Sequence, residues 1–297
     1  MVVRLPRYVV FSLLTAAIVL IARINLDGQT YTHGQNVQPV FEGWEKNPDG
    51  TFSMYFGYLN RNHQEELIIP VGPNNVFEPA DADRGQPTYF YPRRQRYVFK
   101  VTVPADWGEK DLVWTLTAYG KTDKAIGYLN PYMLIDEQVI SMNRSGGGSP
   151  DEPNQAPSLR VNEVDLKRTV SLNDSLTLNA VIGDDAIPKP RPAPPSRPPG
   201  RRNALGLRLN WILYRGPAPV AIHPFIRPFV TETLTMEDHT PGWKPPEIPP
   251  DGKMVTTIKF KQPGTYVLRA IADDGYLYST QDVTVTVEGS SSATAER

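Results

Sequence analysis

The sequence contains no cysteine, which removes disulfides, thiolate nucleophiles and thiolate metal ligands together. Whatever holds the fold is packing and hydrogen bonding. Histidine is scarce, and His33, His63, His223 and His239 have no metal-ligand spacing. HExxH, GxSxG and phosphate-cradling glycine motifs are absent as well. A non-catalytic protein is expected; the room left for an envelope hydrolase is a dispersed Asp/Glu pair, because such carboxylates meet only in the fold. Charge of one sign is also lacking: 31 Lys and Arg oppose 32 Asp and Glu, a net charge of -1. That excludes a binder of nucleic acid driven by phosphate neutralisation.

Long apolar runs are missing too. The uncharged stretch Tyr8–Ala22, preceded by Arg4 and Arg7, would span about 22 Å as a helix, short of the roughly 30 Å of a hydrocarbon core. Residues 1–28 therefore read as an export signal, or as an N-terminal membrane anchor giving single-pass association through residues 8–22. Leu20, where cleavage wants a small residue, favours retention, and the short run favours removal. Either way residues 29–297 are expected outside the cytoplasm: periplasmic, secreted, or held at the inner membrane. Without cysteine a lipoprotein anchor is excluded.

What the chain has in abundance is proline, 30 residues, about twice average usage. This points to strands, turns and Pro-rich loops. A polar stalk (29–39) precedes a first domain over 40–143. There "VFEGWEK", the turn Asn47-Pro48-Asp49-Gly50 and "TFSMYFGYL" spell a hairpin, with Phe52, Met54, Phe56 and Tyr58 alternating along one face. "RYVFKVTVP" and "DLVWTLTAYG" repeat the period of two, and 65–71 and 132–140 read as further strands. These short strands argue a β-sandwich. "RSGGGSPDEPNQAP" (144–157) reads as a linker. Strands at 175–182, 205–214, 254–260, 264–273 and 281–288 follow in a second domain over 158–288, and 289–297 as a tail. The expected fold class is mainly β: two Ig-like β-sandwich domains in tandem.

The second domain resembles PKD-type and related Ig-like repeats of bacterial exported proteins. The residues that carry this are "VSLNDSLTLNAVIGDD", "LNWILYRGPAPV" with Trp211, and "FKQPGTYVLRAIADDGYLYSTQDVTVTV". The resemblance implies a sandwich acting as a spacer or adhesive module of the cell envelope. Two Pro-rich insertions, 186–203 and 236–252, depart from the pattern. The first domain resembles only uncharacterised bacterial exported proteins, and no activity carries over.

Three constellations are candidate sites. In an Ig-like strand order the connection at 183–206 and the turn at 273–276 emerge at one end, which gathers Asp184, Asp185, Asp273 and Asp274. These carboxylates either shape turns, pair with the basic residues of the insert, or hold Ca²⁺, the one cofactor the sequence suggests. The insert, with Lys189, Arg191, Arg197, Arg201 and Arg202 among seven prolines and no acid, reads as an extended polyproline-like loop offering positive charge to a partner. Loop 72–95 is long for a compact domain, as functional loops are. It brings Arg93 and Arg94 beside Tyr89 and Tyr91, a mixed surface suited to proteins or sugars. Trp44 and Tyr55 complete the set, because Gly43 and Gly57 read as bulges that change which face a side chain occupies. Loops 186–203 and 72–95 are the expected contacts with an envelope protein. The alternative is a carbohydrate-binding protein that stacks a glycan on Trp44, Tyr55 and the tyrosines of 89–97, Tyr89, Tyr91 and Tyr97.

Overall fold

The computed structural model describes residues 31–144, 153–190, 205–223 and 247–289. The signal or anchor segment 1–28, linker residues 145–152, Arg191, Arg197, Arg201 and Arg202 of the basic insert, and the tail beyond 289 lie outside the described residues. Among the described residues no helix is long and apolar enough to cross a membrane.

The first sandwich is built from β1 (Val37–Lys46), β2 (Phe52–Asn60), β3 (Leu67–Ile68), β4 (Asn75–Glu78), β5 (Tyr89–Phe90), β6 (Arg93–Val103), β7 (Leu112–Ala118) and β8 (Lys121–Gly127). One sheet runs β1-β2-β6 and the facing sheet β4-β7-β8, with β3 and β5 paired separately. With β1, β2, β4, β5, β6, β7 and β8 lettered A to G, the sheets are ABE and CFG. That is the Ig-like arrangement with its fourth strand reduced to two residues. The period of two explains the core: Met54, Phe56, Tyr58, Phe99 and Val101 from one sheet meet Phe77, Leu112, Trp114 and Leu116 from the other, all buried. Phe56 alone has ring contacts with Phe41, Phe77, Phe99 and Trp114. Gly50, at φ 87°, takes the left-handed turn position, while Asp49 accepts from the Thr51 amide at 3.0 Å.

The sandwich begins earlier than the expected stalk boundary. Thr32 O accepts from the amides of Gln64 and Glu65, so residues 32–39 belong to the fold. The expected strand at 132–140 is instead a 3₁₀ turn (Pro131–Met133) followed by helix α1 (Glu137–Arg144). Asp136 caps this helix by accepting from Val139 N at 2.8 Å. Ile135, Val139 and Ile140 then lie on Tyr55 and Tyr97.

The second sandwich comprises β9 (Ser158–Val161), β10 (Lys167–Ser171), β11 (Ser175–Gly183), β12 (Arg208–Arg215), β13 (Ala221–His223), β14 (Lys253–Lys259), β15 (Gly264–Asp273) and β16 (Tyr278–Glu288). Its sheets are β13-β14-β11-β9 and β10-β16-β15-β12, and β10 runs parallel to β16. Lettered A, A′, B, C, D, E, F and G in chain order, these are DEBA and A′GFC, again Ig-like. Two further marks agree. Trp211 on the third long strand is buried in the core, and Tyr266, near the start of β15, donates its hydroxyl to Gln262 O at 2.7 Å. The latter is a tyrosine corner.

The two sandwiches fall within one compact unit and are not beads on a linker. A bulge in β12 between Leu213 and Arg215 turns Tyr214 out of its own sheet and into the first sandwich's core, where it is 3 % exposed. β12 is an edge strand, and bare edges pair with whatever reaches them. Here the first sandwich does so: Thr88 N donates to Tyr214 O at 3.1 Å, and Leu213 N donates to the Tyr91 hydroxyl at 2.9 Å. Arg215 holds both oxygens of Asp83 at 2.9 and 2.7 Å. Beside them the Arg269 guanidinium lies 3.5 Å from the Tyr214 ring centroid and donates to Val98 O at 2.7 Å.

Candidate interaction surface

The residues singled out from sequence fall into three groups. Tyr55 and Tyr89 are buried, at 8 % and 3 % exposure, and cannot serve as stacking platforms in this fold. Tyr55 is covered by α1 and donates to Glu45 at 2.6 Å. Tyr89 and Tyr91 pack against the second sandwich's core. The part of loop 72–95 that carries Thr88, Tyr89 and Tyr91 thus lies in the seam between the sandwiches, while Glu78–Asp83 is exposed. Burial raises the Tyr91 hydroxyl well above its ordinary pKa and takes Tyr214 to about 12. Burial alone would lower the pKa of Arg269, but the Asp282 carboxylate and Tyr214 hold it above its usual value. Tyr91, Tyr214 and Arg269 therefore stay protonated across the physiological range, while the Arg215 guanidinium beside Asp83 holds that carboxyl below its usual pKa.

Arg94 and Glu42 form a buried ion pair at 2.6 Å, their side chains 12 % and 5 % exposed. It sits where both strands bulge, as Gly43 and Gly57 suggested: the register shifts between Phe41 and Gly43 and between Phe56 and Tyr58. A side chain at Gly57 would run into Glu42 and Gln95. Burial raises the Glu42 pKa, and Arg94 offsets this. Arg94 is therefore structural, while Arg93 is half-buried, with its guanidinium 3.4 Å from Arg61 O. Trp44 is half-buried and donates to Asn130 O at 2.8 Å.

The four aspartates do lie at one end of the second sandwich, but each carboxylate has work within the chain. Asp273 pairs with the buried Arg208 at 3.1 Å and accepts from Gly275 N. Asp274 accepts from the amides of Tyr276 and Leu277 and from Asn154 Nδ2. Asp185 accepts from the amides of Gln155 and Ile187. Asp184 accepts from Ala186 N, and its carboxyl is pushed up to about 6, first by burial and then by Asp274 and Asp185. The contacts seen in the cluster are turn-shaping hydrogen bonds and the Asp273–Arg208 ion pair, Asp184 Oδ1 is buried without a hydrogen-bond partner, and the described residues hold no group of three or more acids or histidines placed to bind a metal ion. Of the basic insert, Lys189 is exposed.

What the sequence reading missed is a strip that starts at the end of β8. Within 126–134 lie four of the nine large hydrophobic side chains exposed among the described residues: Ile126 (46 %), Tyr128 (38 %), Tyr132 (95 %) and Leu134 (53 %). The backbone beneath is firmly held. Asn130 Oδ1 accepts from Tyr132 N at 2.9 Å, Asn130 O accepts from both Met133 N and the Trp44 indole, and Ile135 N donates to Trp44 O at 2.9 Å. Tyr128 leans on Phe41 with ring centroids 5.7 Å apart. Apolar side chains presented together on a fixed backbone mark contact surfaces, and a preordered tyrosine loses little entropy on binding. The signal was in "GYLNPYM": Asn-Pro starts a turn, and apolar residues on a turn have no core to enter.

No protein-family model and no curated protein matches the chain. Solved structures that overlap it include the PKD domain of human KIAA0319, at 13 % identity over 51 % of this chain and 99 % of that one, TM-score 0.22. Fibronectin(III)-like modules of Clostridium thermocellum CbhA overlap at 8 % identity over 88 % and 98 %, TM-score 0.25. The Yersinia pseudotuberculosis adhesin InvE does so at 11 % over 87 % and 61 %, TM-score 0.23. Superpositions this loose carry no argument. The Ig-like assignment rests on strand order, parallel A′-G pairing and the tyrosine corner.

Proposed function

We propose that this chain is a non-catalytic interaction module of the bacterial cell envelope, in which two docked Ig-like sandwiches form a stiff support that presents the Tyr132 strip to a protein partner. The observation that carries the reading is Tyr132 itself, nearly fully exposed yet seated on a hydrogen-bonded turn. Export is supported by the N-terminal charge and hydropathy pattern of residues 4–22. The glycan-binding alternative is left with half-buried Trp44, because Tyr55, Tyr89, Tyr91 and Tyr97 are engaged inside the fold. Fold by itself does not assign function, so the test is direct. A photo-crosslinking amino acid placed at Tyr132 in living cells is expected to trap one discrete envelope protein, and the same probe at exposed Lys189 is not. Equal, diffuse labelling from both positions would refute the assignment. Intact mass after fractionation separates a processed soluble protein from an anchored one.

A further inference from the structure

The β13-β14-β11-β9 sheet has one face turned away from the core, and its four strands contain no Asp or Glu at any position. Alternation directs Arg160, Lys253 and Lys259 outward, all exposed. The register aligns Lys253, Val181 and Arg160 in one row across three strands, so the two cations stand about 10 Å apart at the usual strand spacing. Lys259 lies three outward positions along β14, about 20 Å from Lys253, in a row with Ser175 and Ala221. Between these ends come Thr177 and Thr257, paired across the strands, with His223 beside Thr257 and Ser158 further along the edge. Lys253 has one carboxylate partner, Asp251 at 2.9 Å, with both side chains more than half exposed; such surface pairs exchange readily. Arg160 and Lys259 have none among the described residues.

We propose that this face binds an anionic polysaccharide, a uronate-type polymer, lying extended across the sheet. Two of the three cations have no acidic partner among the described residues and the third has only an exposed one, which calls for an anionic ligand. Among the described residues the apolar side chains on the face are Val181, Val255 and Ala221, with no Phe, Tyr or Trp of the kind that anchors a protein partner. Serine and threonine hydroxyls between the cations can serve sugar hydroxyls while Arg160, Lys253 and Lys259 meet carboxylates. The site uses the second sandwich and is independent of the Tyr132 strip, so either proposal can fail without the other.

Affinity electrophoresis of the full chain through gels containing polygalacturonate, dextran or poly-glutamate tests it. Polygalacturonate is expected to retard the protein, dextran and poly-glutamate not, and retardation is expected to vanish near 1 M salt, where the screening length falls to about 3 Å. The double variant Arg160→Glu/Lys259→Glu, at exposed positions that leave the core intact, is expected to bind about tenfold more weakly, the effect of two surface ion pairs. Lys124→Glu on the first sandwich is expected to bind like wild type. Absence of retardation by polygalacturonate overturns the proposal, as does equal retardation by poly-glutamate, which would make the face a site for acidic polypeptides. A double variant that binds as tightly as wild type also overturns it.

Discussion

Replacing Tyr214 with alanine removes the ring that the β12 bulge delivers into the first sandwich. The ring is 3 % exposed, sits under the Arg269 guanidinium at 3.5 Å and donates its hydroxyl to Gly85 O. Truncating a buried aromatic to alanine costs about 3–5 kcal/mol, and a desolvated cation–π contact adds up to about 2 kcal/mol. Because these terms overlap, about 4 kcal/mol is the expected loss. The buried Arg269 keeps its Asp282 partner, so the charge is not orphaned. The ring comes from the second sandwich and fills the core of the first, so the loss weakens the coupling between them, and the single cooperative transition of the wild type is expected to split into two in scanning calorimetry. Tyr214→Phe, which removes one neutral hydrogen bond, should lose about 1 kcal/mol and stay cooperative. A Tyr214→Ala protein that unfolds in one transition with less than about 1 kcal/mol lost, below the range for buried aromatics, would refute the view that this ring joins the sandwiches.

Asn75, fully buried, donates to Ile69 O and Pro87 O and accepts from the Trp114 indole. Asn75→Ala strands these groups and is expected to lose about 3 kcal/mol or more in urea titration. Gly57→Ala forces a methyl against Glu42 and the Gln95 carbonyl and should lose about 2 kcal/mol, as overpacked sites do. Glu42→Gln leaves Arg94 charged in a buried site, with an expected loss of about 3 kcal/mol by the same titration. Asp184 titrates near 6 when folded against 3.8 as a free side chain. Its contribution is fully present below about pH 4 and lost as pH rises through about 6. Asp184→Asn should therefore raise the denaturation midpoint at pH 8, with a difference that shrinks toward pH 4.

The strands of both sandwiches were legible wherever one face is core: Phe52, Met54, Phe56 and Tyr58 announce a buried face by period alone. β8, "KTDKAIG", gave no such signal because only Ala125 and Gly127 are buried along it. Residues 132–140 misled for a different reason: Ile135, Val139 and Ile140 are spaced for a helix, yet the short apolar run resembles a strand. The Asp136 cap was the cue that separates the two. The tyrosines of loop 72–95 look like a binding surface from sequence, and they do bind. Their target is the second sandwich, where the Tyr91 hydroxyl accepts from Leu213 N of β12, more than a hundred residues further along, and no local pattern encodes a pairing that distant. The buried Arg94–Glu42 pair was hidden for the same reason, although the glycines that make room for it were visible.

The central claim is that the two sandwiches form one stiff body. The absence of native cysteine allows spin labels at two introduced cysteines, at exposed Lys124 on the first sandwich and exposed Lys259 on the second, for measurement by double electron–electron resonance. A single narrow distance distribution, broadened by Tyr214→Ala, is the expected result. A broad distribution in the wild-type protein, unchanged by Tyr214→Ala, would contradict the account and return the molecule to two sandwiches swinging on a linker.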